Sequence, residues 1–182
     1  MPSKADPSFQ PRESLTQSIP LQEVESPILV QGIALWAKLR GNRKYPPRND
    51  VTPRELKSLL RNTMLLRVVD GGGDYEYRIV GDAYVMAHGV SFQGSRWSDT
   101  ALFSPGYQAA IKPVYDQVVS SGEPVATRGW IERGSAAGEH VYCEYVFLPL
   151  GTEADSVDHI LVFAVYVARA MLGLAPLEQA AR

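Results

Sequence analysis

Cysteine is nearly absent: Cys143 is the one thiol in 182 residues. An intramolecular disulfide is therefore excluded, and with it every CxxC or cysteine-rich zinc pattern. Histidine is scarce as well. His88, His140 and His159 show no metal-ligand spacing such as HxxxH, so no metal site is expected. Charge of one sign is lacking, since the net charge is −2 at pH 7, and no basic stripe interleaved with aromatics marks a nucleic-acid partner. Long apolar runs are missing too. The longest, ILVFAVYVARAML at 160–172, is interrupted by Arg169 and is too short to span a bilayer. Residues 1–25 lack the continuous apolar core of a signal peptide. A reduced, cytoplasmic protein with neither membrane nor nucleic acid as partner is expected.

Catalytic signatures are equally thin. GVSFQG at 89–94 resembles a nucleophile elbow but has one residue too many, and the strand–elbow–helix context is missing. DGGGD at 70–74 lacks the following helix that a phosphate site needs. Asp82, Asp99 and Glu144 read as solvated or cross-strand charges. No nucleophile, base and orienter converge, so no catalytic residues are assigned and the chain is not expected to be an enzyme.

What is present suits one ordinary globular unit, with 45% hydrophobic and 21% charged residues. Residues 1–25 are rich in Pro, Ser, Gln and charge and read as a flexible tail. A helical segment over 26–61 follows. SPILVQGIALWAKLRG places Ser26 at a cap, Pro27 at the first helical position, apolar residues at Leu29, Ile33, Trp36 and Leu39, and Gly41 at the end. Gly32 weakens that helix by up to about 1 kcal/mol relative to alanine. In TPRE, Thr52 caps, Pro53 opens the helix, and Glu55 can reach back to the Thr52 amide.

The period then switches to two. MLLRVV, DGGGD and YEYRIV predict a hairpin with Tyr75, Tyr77 and Ile79 on one buried face. A short helix over 82–88, an irregular loop over 89–103 and a longer helix to about 121 come next. Tyr107, Ile111, Val114 or Tyr115, and Val118 form one stripe of that longer helix, and Pro113 either kinks it or marks its start near Lys112. PVATRGWIE, HVYCEYVFLPL and HILVFAVYVA are three further strands. The preferred register sets Arg128 against Glu144, Trp130 against Tyr142 and Glu132 beside His140, leaving Thr127, Cys143, Tyr145 and Phe147 on the other face. Residues 62–170 thus form the sheet-bearing domain, and 171–182 a terminal tail.

Five strands split two and three around a helical middle do not form a doubly wound parallel sheet. They form an α+β fold: an antiparallel sheet with a helical insert on one face and an N-terminal helix. In WAKLRGNRKYPPRND, VTPREL and above all YRIVGDAY…GVSFQGSRWSD, with GEPV before the third strand, residues 36–166 resemble the PAS domain, specifically a small bacterial family of single-domain PAS-like proteins. That resemblance implies the PAS sandwich and a sensory or signalling module that carries no general catalytic residues, takes a small ligand between sheet and helices, and signals through a partner protein.

The stretch YRIVGDAYVMAHGVSFQG then reads as a pocket wall. Residues expected to line the pocket are Tyr77, Ile79, Tyr84, His88, Phe92, Trp97, Tyr107, Ile111 and Tyr145. Trp36 and Trp130 are expected at a homodimer interface or against a flanking helix. Haem and flavin, which PAS domains commonly bind, are disfavoured as cofactors: GDAYVMAHG holds no cysteine for a photoactive flavin, and 104–121 holds no axial histidine. Cys143 reads as an inert buried thiol, His88 as a helix-end cap, and His140 and His159 as exposed. Two rival readings remain: a small enzyme using His88 with Asp82 or Tyr84 in the same cavity, and a ligand-free dimeric adaptor.

Overall fold

The computed structural model describes residues 16–100, 105–132, 140–152 and 156–168. Strands β2 (Thr63–Val69), β3 (Asp74–Val80), β4 (Val125–Glu132), β5 (His140–Leu150) and β6 (His159–Ala168) are the five expected. A sixth, β1 (Thr16–Ile19), lies inside the segment expected to be a tail and pairs antiparallel with β4. Its alternation is too short to register as a strand in sequence, and β4 supplies the missing partner. The sheet runs β1-β4-β5-β6-β2-β3, antiparallel throughout. The β4–β5 register is the expected one: Arg128 lies opposite Glu144, Trp130 opposite Tyr142 and Glu132 opposite His140.

Both faces of the sheet are covered. On the outer face, helix α1 (Pro27–Arg40) lays Leu29 and Trp36 over Leu65, Val146, Leu148, Leu161 and Phe163. The Trp36 indole N–H donates to the Pro149 carbonyl at 2.8 Å. A Cβ on Gly32 would come within 2.3 Å of the Phe163 ring, so the glycine that weakens α1 is what lets its backbone approach the sheet. Helix α2 (Pro53–Leu56) begins at Thr52, whose hydroxyl accepts from the Glu55 amide at 3.3 Å. The Glu55 carboxylate turns to Lys38 at 3.0 Å instead of returning to the cap. A six-residue 3-10 helix, Lys57–Asn62, continues the chain into β2.

The inner face carries three helices: α3 (Asp82–His88), α4 (Trp97–Thr100) and α5 (Pro105–Ser121). Helix α5 runs through Pro113 and buries Ile111, Val114, Tyr115 and Val118. Met64, Leu66, Tyr75, Tyr77, Cys143, Tyr145, Phe147 and Val162 meet it from the sheet. Among the described residues, no helix is long and apolar enough to cross a membrane.

One strand departs from simple alternation. Leu65 pairs with Ile79 but Leu66 pairs with Tyr77, so Arg78 is an extra residue in β3, a β-bulge. The bulge turns Ile79 onto the outer face, where it packs beside α1, and delivers Val80 to the inner core. Ile79 therefore does not share the face of Tyr75 and Tyr77.

Candidate functional site

The inner face between α3, α5 and strands β3–β6 gathers most of the expected lining residues. Strand β3 contributes Tyr77, fully buried, whose hydroxyl donates to the Gln108 carboxamide oxygen of α5 at 3.2 Å. After Val80 the chain must leave the strand beneath the 3-10 helix. Gly81 is needed there because a Cβ would meet the Arg61 carbonyl oxygen at 2.3 Å. Helix α3 then starts, and it ends at Gly89, which takes the left-handed φ of 74° and donates to the Val85 carbonyl.

This short helix turns Tyr84 and His88 inward, to 2% and 3% exposure. Their rings stack with centroids 4.0 Å apart, and Phe92 and Tyr166 meet the same pair edge-on or tilted. Burial alone pushes the His88 imidazolium down to a pKa of about 3, so the ring is neutral at physiological pH. Its place at a helix end suggested a cap, and the ring is turned into the core instead of lying on the surface.

The following loop lies along the edge of β3. Tyr77 N–H donates to Ser95 O at 3.0 Å, Gly94 N–H donates to Tyr77 O at 2.7 Å, and Val80 N–H reaches the Gln93 side chain at 3.2 Å. The edge is thereby blocked against further strand pairing, and Phe92 is held in the core. Trp97, half-buried, donates its indole N–H to Gln108 O at 3.2 Å. Lys112 spans the rim over Tyr75 and Trp97 and pairs with Asp116, which also accepts from the Tyr75 hydroxyl at 2.7 Å.

Strands β4–β6 complete the wall. Tyr145 stacks on Phe147 at 5.6 Å and meets Tyr166 edge-on at 5.7 Å. Burial raises both hydroxyls well above the usual phenol pKa, and each lies close enough to perturb the other. Thr127 lies opposite Tyr145 on β4. The Thr127 hydroxyl, the Tyr145 and Tyr166 hydroxyls and the Gln108 amide nitrogen are buried without a hydrogen-bond partner among the described residues. Cys143 donates to Gly129 O at 3.4 Å, and burial pushes its thiol pKa up. Both hold it as a buried, protonated thiol.

Seven of the nine expected lining residues (Tyr77, Tyr84, His88, Phe92, Trp97, Ile111 and Tyr145) come together on this inner face. Ile79 does not, for the bulge described above. The Tyr107 and His140 side chains and the 171–182 segment lie outside the described residues. Gln108 and Tyr166 were missed, although Gln108 shares the stripe of Ile111, Tyr115 and Val118, and a lone polar residue in such a stripe is a readable signal.

Of the two settings expected for Trp36 and Trp130, the described residues show packing within the chain, with Trp36 in the helix that flanks the outer face. They are 6% and 2% exposed within the single chain. Trp36 is held by the sheet, and Trp130 packs edge-on against Tyr142 at 5.4 Å. The rival His88–Asp82 pair does not form either, because Asp82 is exposed at the opposite end of α3. His159 is half-buried and meets Asp158 at 2.7 Å. Among the described residues, no cluster of three His, Cys, Asp or Glu could hold a metal ion.

A family model for the PAS domain matches residues 24–164. The chain belongs to the PAS domain family. The match begins just before α1 and ends within β6, so the PAS domain includes the outer helix as well as the sheet and inner helices. Among solved structures, an RNA-binding Light-Oxygen-Voltage receptor is similar at 14% identity with a TM-score of 0.44, covering 87% of this chain and 39% of that one. The chain thus spans well under half of the receptor's length. The PAS domain of an HTR-like protein from Haloarcula marismortui is similar at 20% identity with a TM-score of 0.40, covering 66% of this chain and 95% of that one. No curated protein matches.

Proposed function

We infer that this PAS domain is a sensor module, without catalysis of its own, whose input is a small uncharged ligand held on the inner face between α3, α5 and the sheet. The observation that carries the reading is the set of buried groups on that face, the Thr127 and Tyr145 hydroxyls and the Gln108 amide nitrogen, without partners among the described residues. Buried polar groups are nearly always satisfied, and leaving one unmade costs about 1–3 kcal/mol. A ligand that donates to the hydroxyls and accepts from the amide would recover that cost.

The surrounding rings favour a flat or aromatic body. Charge is disfavoured: the buried polar side chains described are Thr63, His88, Thr100, Gln108 and Thr127, and none offers an ionised partner to a buried charge. Occupancy would favour one arrangement of the helices over the sheet, and a partner protein would read it.

Native mass spectrometry of the purified protein, with an absorption spectrum of the same sample, tests this directly. A non-covalent adduct lost on denaturation, and lost again in a Gln108→Leu variant that still folds, is the expected result. If the bare mass persists after incubation with a library of neutral heteroaromatic metabolites, the reading fails.

A further inference from the structure

The chain's basic residues are unevenly placed. Eight of the 18 fall between 38 and 61, where the acids are Asp50 and Glu55 alone. Both acids are taken internally, by Arg43 at 2.7 Å and by Lys38 at 3.0 Å. Arg40 lies over the Trp36 ring and Arg48 donates to Val51 O. Arg54, Lys57 and Arg61 are exposed and join no ion pair among the described residues. The nearby acid is Asp82, exposed at the start of α3.

Side chains three apart eclipse in a 3-10 helix. Leu59 and Asn62 form its inward ridge: Leu59 is buried, and Asn62 donates to Ala164 O at 2.8 Å. Ser58 and Arg61 form an outward ridge, and Lys57, at the non-helical entry to the turn, is exposed beside it. Leu60 is 38% exposed, and Met86, on the outward side of α3, is 62% exposed. The Arg61 guanidinium reaches the Met86 sulfur at 3.4 Å, joining the two elements into one patch with apolar side chains set among cations. Lys57 also holds φ 48° and ψ −121°, a backbone region that favours glycine. Such strain, kept at an exposed charged residue, gathers at functional sites.

We propose that Lys57, Leu60, Arg61 and Met86 form a docking surface for an acidic amphipathic helix of a partner protein. The partner's apolar stripe would sit on Leu60 and Met86, and its carboxylates would meet Lys57, Arg61 and Arg54 of the preceding turn. Methionine suits this role, being adaptable to the shape of an incoming side chain. Single-stranded nucleic acid fits less well, because stacking needs exposed aromatic faces and the exposed large apolar residues described are Val30, Leu60, Met86 and Val90. The chain beyond β6, with Arg169 and Arg182 against Glu178, does not complement a basic patch. Helix α3 carries Tyr84 and His88 on its inner side and Met86 on its outer side, so an occupant of the inner face would shift the docking surface. The surface stands on its own; only that regulation rests on the ligand reading.

The probe is a labelled synthetic amphipathic helix with Glu on its polar face and Leu on the other, titrated against the full chain by fluorescence anisotropy. Binding that weakens with salt, and falls by at least about tenfold in Lys57→Glu/Arg61→Glu and separately in Met86→Ser, is expected. All three positions are exposed, and circular dichroism verifies that each variant folds. Equal binding by the Lys-for-Glu version of the peptide, or no change in the variants, overturns the surface. So does the absence of peptide binding alongside tight, Arg61-dependent binding of oligouridylate or phosphatidylserine vesicles. If the peptide binds equally well to the native protein carrying its adduct and to the Gln108→Leu protein that lacks it, the regulation falls and the surface remains.

Discussion

His88 ends an exposed-looking helix and yet is 3% exposed, stacked on Tyr84 in an aromatic shell. The native protein refuses a proton that the unfolded chain accepts below about pH 6.5, because burial has lowered the imidazole pKa to about 3. Stability is therefore complete above the unfolded value. It declines as the pH falls through the window between the two, by as much as about 1.4 kcal/mol per pH unit. Glu144 acts in the opposite sense, since burial raises its carboxyl while Arg128 opposes the shift. Urea midpoints measured from neutral to mildly acid pH should fall in the native protein and fall less steeply in His88→Phe. Parallel slopes would show that His88 is not the buried, neutral group described.

At the scale of elements, the close approach of α1 to β6 is set by Gly32. Alanine is the better helix former by about 1 kcal/mol, but its methyl would lie within 2.3 Å of the Phe163 ring. Overpacking of a tight core costs about 1–3 kcal/mol, so the clash should outweigh the propensity gain. Gly32→Ala should lower the thermal midpoint, whereas substitution at exposed Gln31 should not. The helix, its start and its end are readable from Pro27, the apolar spacing and Gly41. The reason for Gly32 is not, because it depends on a ring 131 positions away in the chain.

The same division holds across the sheet. The β4–β5 register is legible because a one-residue slip would scatter Arg128, Glu144 and their neighbours over both faces. The bulge at Arg78 leaves no trace in RIV, where two apolar residues follow one another and either could be the inward one. Strand β1 is four residues long and becomes a strand only through its pairing with β4. Of the candidate site, the aromatic wall was legible from YRIVGDAY and its continuation. Tyr166 was not, because it sits in an apolar strand that sends residues to the cores on both faces, with no polar alternation to mark which side faces the site.

For the molecule as a whole, the decisive feature is a sheet with a core on each side. Strands β5 and β6 give successive residues to opposite cores: Tyr145 and Phe147 to one, Val146 and Leu148 to the other. The two hydrophobic clusters are thus built from shared backbone, and neither can lose its order while these strands stay paired for the other. Differential scanning calorimetry should accordingly record one endotherm, with the heat absorbed equal to the heat inferred from the sharpness of the transition. Two resolved endotherms would mean that the outer helix and its cluster detach as a separate unit. In thermodynamic language, a party wall makes two rooms into one house: the protein melts once or not at all, and heat that loosens either side is charged to both.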